Sequence, residues 1–136
     1  MRENEAGLRP CVMVVEDDNA VRRSLQLLLR SRGYDVRAYS GAAPALADPL
    51  ARSARCLIAD LVLDHQGADG IALLEQLRNE GWQGPAILIS GYLTAEREAR
   101  ARRAGFDKIL SKPVAESIVV SELGRVLNPD HDVSTH

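Results

Sequence analysis

The hydrophobic residues of this chain gather in short uninterrupted runs, and each run ends abruptly at polar residues. Runs of this length and continuity are typical of strands buried on both faces of a parallel sheet. A further segment, Tyr34 to Tyr39, alternates polar and apolar residues, which predicts a more exposed strand near a sheet edge. The four buried strands are predicted at Val12–Val15, Cys56–Asp60, Ala86–Ser90 and Lys108–Ser111.

Apolar residues at helical spacing fill the intervals between these strands. In the first interval Val21 and Leu25 recur on one face, and Asn19 is the predicted N-cap. The second helix, after the candidate cap Ser40, should be short because Pro44 interrupts it. Strands that alternate with helices predict an α/β fold, a (βα)5 doubly wound parallel sheet with helices on both faces. The other helices are predicted from about Ile71 to Gly81, from Ala95 to Ala104 after the cap Thr94, and from about Val114 to Leu127.

Composition and charge narrow the class of protein. The 136 residues suit one domain, and hydrophobic and charged fractions of 46% and 26% are ordinary for a globular chain. A net charge of −2, with acids and bases interleaved, argues against non-specific nucleic-acid binding. No signal-peptide pattern opens the chain, and no apolar run approaches the roughly 18 residues of a membrane helix. We therefore expect a cytoplasmic protein in which Cys11 and Cys56 are core thiols.

The polar residues that end the predicted strands carry the candidate chemistry. Because the carboxyl ends of parallel strands meet at one edge of the sheet, Glu16, Asp17, Asp60, Ser90 and Lys112 should converge there. Adjacent carboxylates repel one another, and a divalent cation such as Mg²⁺ removes that cost. A carboxylate beside Mg²⁺ can attack a phosphoryl group and form an aspartyl phosphate. A lysine and a hydroxyl are suitable donors to the phosphoryl oxygens.

Four motifs lie at the ends of the predicted strands. They are the acidic pair in Val14-Val15-Glu16-Asp17, the strand-terminal Asp60, Ile89-Ser90-Gly91, and Leu110-Ser111-Lys112-Pro113. In this order and spacing they make the chain resemble the receiver domain of two-component response regulators, the CheY-like family. The resemblance covers about residues 10–128 and implies the strand order 2-1-3-4-5. It leaves residues 1–9 as a polar lead-in and residues 129–136 as a flexible tail.

The resemblance also implies roles for these residues. Asp60 would be the phosphoacceptor, and Ser90 and Lys112 would bind and sense the phosphoryl oxygens. Glu16, Asp17, Asp60 and the backbone carbonyl of Val62 would hold Mg²⁺, with Mn²⁺ as an alternative ion. The peptide bond between Lys112 and Pro113 would be cis.

The partners that the resemblance implies are proteins. The phosphoryl group would come from a sensor histidine kinase or a histidine phosphotransfer protein. The signal would then pass to a downstream protein by direct contact, with no DNA binding and no membrane. A phosphorylation-dependent homodimer is an open possibility. The chain would be a phosphoacceptor that catalyses its own phosphotransfer and slow autodephosphorylation, not an enzyme acting on other substrates.

The sequence departs from the family pattern at three places. The loop between Asp60 and Asp69-Gly70 is longer than usual. Ile109 occupies a position that is usually aromatic and rotates on activation, so the switch is expected to rely mainly on Ser90. The chain also ends without an output domain, which suits a stand-alone protein. In addition, Val62 and Tyr92 lie two residues beyond Asp60 and Ser90, where side chains can place or block the hydrolytic water.

Other functions share this architecture. A flavodoxin-like FMN carrier needs a phosphate-binding loop after the first strand, but the acidic Glu16–Asn19 would repel phosphate. A haloacid-dehalogenase-like phosphatase needs a second acid where Val62 stands. A phosphorylation-independent binding module and a truncated receiver of a longer regulator or hybrid kinase remain alternatives. The arginine-rich fourth helix is as consistent with a partner surface as with a solvated face.

Overall fold

Strands and helices alternate along the part of the chain that the computed structural model describes, residues 9–63 and 69–128. The sheet has the order β2-β1-β3-β4-β5, and every strand pair is parallel. This confirms the predicted (βα)5 fold and its 2-1-3-4-5 order. The elements are β1 (Cys11–Val15), α1 (Asn19–Ser31), β2 (Asp35–Tyr39), α2 (Ala42–Ala47), a 3₁₀ helix (Pro49–Ser53), β3 (Cys56–Asp60), α3 (Gly70–Asn79), β4 (Ala86–Ser90), α4 (Ala95–Ala104), β5 (Lys108–Ser111) and α5 (Glu116–Leu127).

The core consists of two apolar layers, one on each face of the sheet. Every residue of β3 and β4 is buried, because helices cover both faces of the central strands. Leu57 and Leu88 belong to the layer that also contains the apolar residues of α2, α3 and α4. Ile58 and Ile87 belong to the layer that contains those of α1 and α5. The central strands are therefore packed on both faces, and their last residues, Asp60 and Ser90, are buried as well.

Three predicted helix starts, those of the first, second and last helices, are wrong by one or two residues. The N-cap of α1 is Asp18, whose Oδ1 accepts a hydrogen bond from the Val21 N–H at 3.0 Å. Asn19 is the first helical residue, and its Oδ1 accepts from Arg22 instead. Asp and Asn are equally good N-cap residues, so residue type alone could not decide whether Asp18 or Asn19 is the cap. The last helix begins at Glu116, later than the predicted Val114.

The other helix limits agree with the sequence more closely. Thr94 caps α4 by accepting the Arg97 N–H at 3.1 Å, and Gly105 ends it at φ +113°, as expected. The second helix is short, but its N-cap is Gly41 and not Ser40. Asp48 ends that helix and caps the 3₁₀ turn that follows.

Some expectations fall outside the described residues. The polar lead-in, apart from Arg9, the tail at 129–136 and the longer loop at 64–68 belong to this group. Among the helices that the structure describes, none is long and apolar enough to cross a membrane. Cys11 and Cys56 are free thiols, half-buried and buried respectively.

Candidate functional site

The carboxyl ends of the strands place the predicted site residues at one edge of the sheet. Glu16 directly follows β1, Asp60 and Ser90 end β3 and β4, and Lys112 follows β5. Asp60 is paired with Ile89, and Ser90 with Ser111, so the strands end at nearly the same level. This common edge results from parallel pairing of the strands alone.

Three carboxylates meet at this edge. Glu16, Asp17 and Asp60 each offer an oxygen, and these oxygens all lie within 4.8 Å of one another. Glu16 and Asp60 are only 4% and 8% exposed, whereas Asp17 is exposed. The Lys112 Nζ lies 2.7 Å from Asp60 Oδ2 and 3.4 Å from Glu16 Oε1. The lysine thus offsets part of a concentrated negative charge.

The titration of Glu16 and Lys112 reflects this crowding. Burial raises the pKa of Glu16, and the charge of Asp60 adds to this rise. Two interactions oppose the rise: the Asp18 N–H donates to Glu16 Oε2 at 3.1 Å, and the charged Lys112 lies nearby. Burial alone would lower the pKa of Lys112, but the hydrogen bonds and charges of Asp60 and Glu16 outweigh it and raise that pKa. The carboxylates therefore hold the lysine in its charged form.

The backbone after Asp60 is tied to its carboxylate. The Val62 N–H donates to Asp60 Oδ1 at 3.3 Å, and Val62 forms an isolated antiparallel bridge with Asp69. The Gly70 N–H donates to the Leu61 carbonyl at 2.9 Å, which makes Val62 and Asp69 a non-hydrogen-bonded pair. In such a pair each residue's own N–H and C=O face away from the partner. We therefore expect the Val62 carbonyl to lie on the same side as its N–H, toward Asp60.

Gly70 is a site residue that sequence reasoning did not identify as functional. A Cβ at this position would overlap the carbonyl oxygen of Asp60 and approach the side chain of Ala59. Only glycine lets the first turn of α3 lie directly against the end of β3. The sequence signal was the Asp69-Gly70 pair, but nothing in it reveals the distance to Asp60.

Ser90 and the loop that follows it connect the site edge to α4. Ser90 is buried, and its Oγ accepts the Tyr92 N–H at 3.1 Å. The Tyr92 carbonyl in turn accepts a hydrogen bond from Arg97 in the first turn of α4 at 2.6 Å. Ile109 is half-buried and packs against the core layer on the α4 side of the sheet.

The remaining predicted positions are also accounted for. The Val62 and Tyr92 side chains are 40% and 64% exposed, so both face solvent. The Lys112–Pro113 peptide bond is cis.

The donor set fits a hard divalent cation. Carboxylate oxygens are ligands of the type that Mg²⁺ prefers, and the exposed Asp17 leaves the cluster open to water. Burial raises the pKa of Glu16, and the charge of Asp60 adds to the rise. A bound cation would add positive charge beside these carboxylates.

Comparison with known proteins decides the family. The family model of the response regulator receiver domain matches residues 12–123. The chain belongs to this family. Receiver domains generally bind Mg²⁺ at an acidic pocket, and they are signalling domains. Membership also separates the chain from the flavodoxin-like and phosphatase-like alternatives.

Curated relatives of this receiver domain include regulators of greater length. The chain is 32% identical over 113 residues to the transcriptional regulatory protein TdiR of Thauera aromatica, covering 83% of this chain and 49% of that protein. It is 35% identical over 109 residues to nodulation protein W of Bradyrhizobium diazoefficiens, covering 80% and 47%. The chain thus spans about half the length of the curated relatives it matches.

Solved receiver structures share the fold. A CheY-like receiver domain protein from Methanospirillum hungatei superposes with a TM-score of 0.81 at 23% identity, over 91% of this chain and 98% of that one. The receiver domain of NtrX from Brucella abortus gives 0.77 at 27% identity, over 86% and 98%.

Proposed function

We propose that this receiver domain accepts a phosphoryl group on Asp60 from a phosphohistidine of a sensor histidine kinase or histidine phosphotransfer protein. Glu16, Asp17, Asp60 and the Val62 carbonyl would hold the required Mg²⁺, with Mn²⁺ as a substitute. The observation that carries this proposal is the cluster of three carboxylates within 4.8 Å, with Lys112 2.7 Å from Asp60. Such a cluster is costly unless a cation offsets the repulsion between its carboxylates.

The chemistry follows from the positions of these side chains. A carboxylate oxygen of Asp60 attacks the phosphorus, the P–N bond to the histidine breaks, and its electron pair leaves with the imidazole. A bound cation would offset the negative charge of the phosphoryl oxygens. Lys112 can exchange its bond to Asp60 for one to a phosphoryl oxygen, and the Ser90 hydroxyl can donate to another.

Phosphorylation would reach α4 mainly through Ser90. When the Ser90 hydroxyl turns toward a phosphoryl oxygen, it must give up or change its bond to the Tyr92 N–H. Arg97 ties Tyr92 to α4, so the loop and the helix would respond together. Ile109 carries no aromatic ring or hydroxyl, and it packs in the core layer, so it would contribute little to this response.

The downstream partner is proposed to be a protein or a further domain. TdiR carries the name of a transcriptional regulatory protein, and this chain matches only about half of it. Either an attached output domain or a separate protein could therefore receive the signal. The α4 surface, with Arg97, Arg102 and Arg103 exposed, is a candidate contact region. We propose a homodimer formed after phosphorylation as a second way in which the signal is transmitted.

The test is acetyl phosphate labelling in Mg²⁺, read by intact mass. The wild-type protein should gain the mass of one phosphoryl group, and Asp60→Asn should gain none while it keeps its circular dichroism spectrum. Asp35→Asn, which changes an exposed carboxylate at the opposite end of the sheet, should label like wild type. Full labelling of Asp60→Asn would contradict the assignment. A wild type that is never labelled would favour a phosphorylation-independent binding module.

A further inference from the structure

One arginine of α4 reaches the connection that leads away from Asp60. Arg100 Nη1 donates to Asp69 Oδ2 at 3.0 Å, across 31 residues of sequence. Its Nη2 lies 3.8 Å from Glu75 Oε1 on α3. Arg100 thus joins α4 to the first turns of α3, and its nearest charged partner is Asp69, the N-cap residue of α3.

Asp69 uses its two carboxylate oxygens for different purposes. Oδ1 accepts the Ala72 N–H at 2.6 Å and caps α3, which leaves Oδ2 for Arg100. The backbone of Asp69 faces Val62, and the neighbouring Gly70 N–H is bonded to the Leu61 carbonyl. Asp69 therefore fastens the end of the β3–α3 connection to the two residues that follow Asp60.

This arrangement bears on the direction of the Val62 carbonyl. Its N–H points to Asp60 Oδ1, and the pairing with Asp69 keeps its carbonyl on that side. If the Asp69 end of the pair moves, the Val62 peptide keeps its bond to Asp60 Oδ1 but loses the bridge to Asp69 that fixes its rotation about that bond. The orientation of a prospective cation ligand thus depends on a contact made from another helix.

We propose that Arg100 is a positioning residue for the cation site. Through Asp69 it keeps the Val62 carbonyl directed toward the Glu16–Asp17–Asp60 cluster, and because it stands on α4 it links cation binding to that helix. This inference rests on the proposed function, since it assumes that the cluster binds Mg²⁺. The inference concerns only how firmly the Val62 carbonyl is positioned as a ligand of the cation.

Electrostatics and positioning predict opposite effects of removing Arg100. A positive charge near a cation site repels the cation, so its loss alone should strengthen Mg²⁺ binding. If Arg100 positions the Val62 carbonyl, its loss should weaken binding instead. Supporting groups of metal ligands can contribute tenfold or more to affinity. Because the Arg100–Asp69 pair is part-exposed, we expect Arg100→Ala to weaken Mg²⁺ binding by about tenfold, the lower end of that range.

The experiment is isothermal titration calorimetry of the whole chain with MgCl₂ alone. The variants are Arg100→Ala, Arg100→Lys, Asp69→Asn and the double variant Arg100→Ala/Asp69→Asn. Asn at position 69 can still cap α3, so the helix start is preserved while the charged partner is lost. Arg102→Ala is the matched control, since Arg102 lies on the same helix and pairs locally with Glu98 at 3.7 Å.

The expected pattern is specific. Arg100→Ala and Asp69→Asn each weaken Mg²⁺ binding, the double variant is no worse than the weaker single one, and Arg100→Lys is intermediate because it keeps the charge but not the planar fork. Arg102→Ala binds at least as tightly as wild type. Unchanged or tighter binding by Arg100→Ala, with or without a lower melting temperature, would overturn the role of Arg100 and leave the proposed function standing. A wild type that binds no Mg²⁺ would overturn both.

Discussion

At the scale of single residues, the free site is a balance between three carboxylates and one lysine. Lys112 contacts Asp60 and Glu16, but one ammonium cannot neutralise a cluster that also includes Asp17. Burial is the first cause of the raised pKa of Glu16, and the charge of Asp60 adds to it. Crowded carboxylates of this kind are typical of functional sites, where a cation can offset the repulsion between them.

These residues could be predicted because each lies at the end of a strand. An apolar run that ends in Asp60 gives both the strand and the position of the carboxylate. Arg100 could not be predicted in the same way, because Asp69 is 31 residues away and the two meet only when α3 and α4 pack side by side. On sequence alone, Arg100 was one of several arginines on a charged helix.

The lifetime of the phosphoryl group should depend on Val62 and Tyr92. Both side chains are exposed, and valine has no donor or acceptor that could orient a water molecule for attack. Val62→Asn should therefore speed hydrolysis, and Tyr92→Ala should do so by opening access. The gain should stay below the roughly 100-fold that full general-base catalysis supplies, since an amide can only orient the water.

The measurement is the half-life of the phosphorylated protein in Mg²⁺. Leu50→Ala serves as the control, because it trims an exposed apolar side chain on the 3₁₀ helix whose exposure lies between those of Val62 and Tyr92. Identical half-lives for wild type, Val62→Asn and Tyr92→Ala would mean that the water is controlled by other groups.

At the scale of elements, the junction between β3 and α3 determines how Asp60 is held. α3 begins at Gly70, immediately against the backbone of Asp60, and Asp69 caps it. The sequence predicted this helix from its apolar spacing but placed its start near Ile71. Helix spacing reports which face is buried and not how closely a helix end approaches a strand, so the functional contact was missed.

Substitution of two glycines should separate a close approach from ordinary helix propensity. Gly70→Ala inserts a methyl group against the Asp60 carbonyl and should destabilise the protein by about 1–3 kcal/mol. It should also reduce phosphorylation, since the Asp60 backbone must move. Gly124→Ala, inside α5 with no heavy atom within 4 Å of the added carbon, should stabilise by about 0.4–1 kcal/mol.

Urea unfolding and acetyl phosphate labelling of the two variants check this. Both substitutions change glycine to alanine in a helix, so propensity alone would give them the same sign. A Gly70→Ala protein as stable as wild type would show that α3 does not press on Asp60.

At the scale of the whole molecule, the parallel sheet brings the carboxyl ends of all its strands to one edge, and the site forms there. Residues separated by almost the whole length of the domain, such as Glu16 and Lys112, come together because all strands point the same way. The alternation of strands and helices predicted this, and the family resemblance supplied the order. Contacts such as Arg100–Asp69 depend on how the helices pack against one another, and hydrophobic patterns do not encode that packing.

Stability of the whole protein should therefore depend on Mg²⁺ and pH together. The pKa of Glu16 is raised above its ordinary 4.5 in the folded protein, so its protonated form favours folding. That contribution is present below pH 4.5 and is lost as the pH rises through the folded pKa. Mg²⁺ needs the ionised form. It should add about 1.4 kcal/mol at roughly ten times its dissociation constant, and less in acid, where protons compete.

Melting temperatures with and without Mg²⁺, at about pH 5 and about pH 7.5, test this linkage. Lys112 stays charged over this range because its pKa is raised, so Glu16 is the site group expected to respond. Mg²⁺ should raise the melting temperature by about 4 °C at the higher pH and by clearly less at the lower. Glu16→Gln should stabilise the cation-free protein by about 0.5–2 kcal/mol, since it removes one buried repelling charge, and should lose most of the Mg²⁺ shift.

Glu80→Gln is the control, because the pKa of Glu80 is lowered in the folded protein whereas that of Glu16 is raised. Hydrogen bonds from Gln76 and Arg52 lower the pKa of Glu80, so its contribution to stability is present above pH 4.5 and is lost as the pH falls through the folded pKa. It lies at the end of α3, away from the site edge, and its loss should leave the Mg²⁺ shift intact. An Mg²⁺ shift of the same size at both pH values, or a full shift in Glu16→Gln, would show that Glu16 does not hold the cation. The expected result instead ties the titration of one buried carboxyl to the stability of the entire domain.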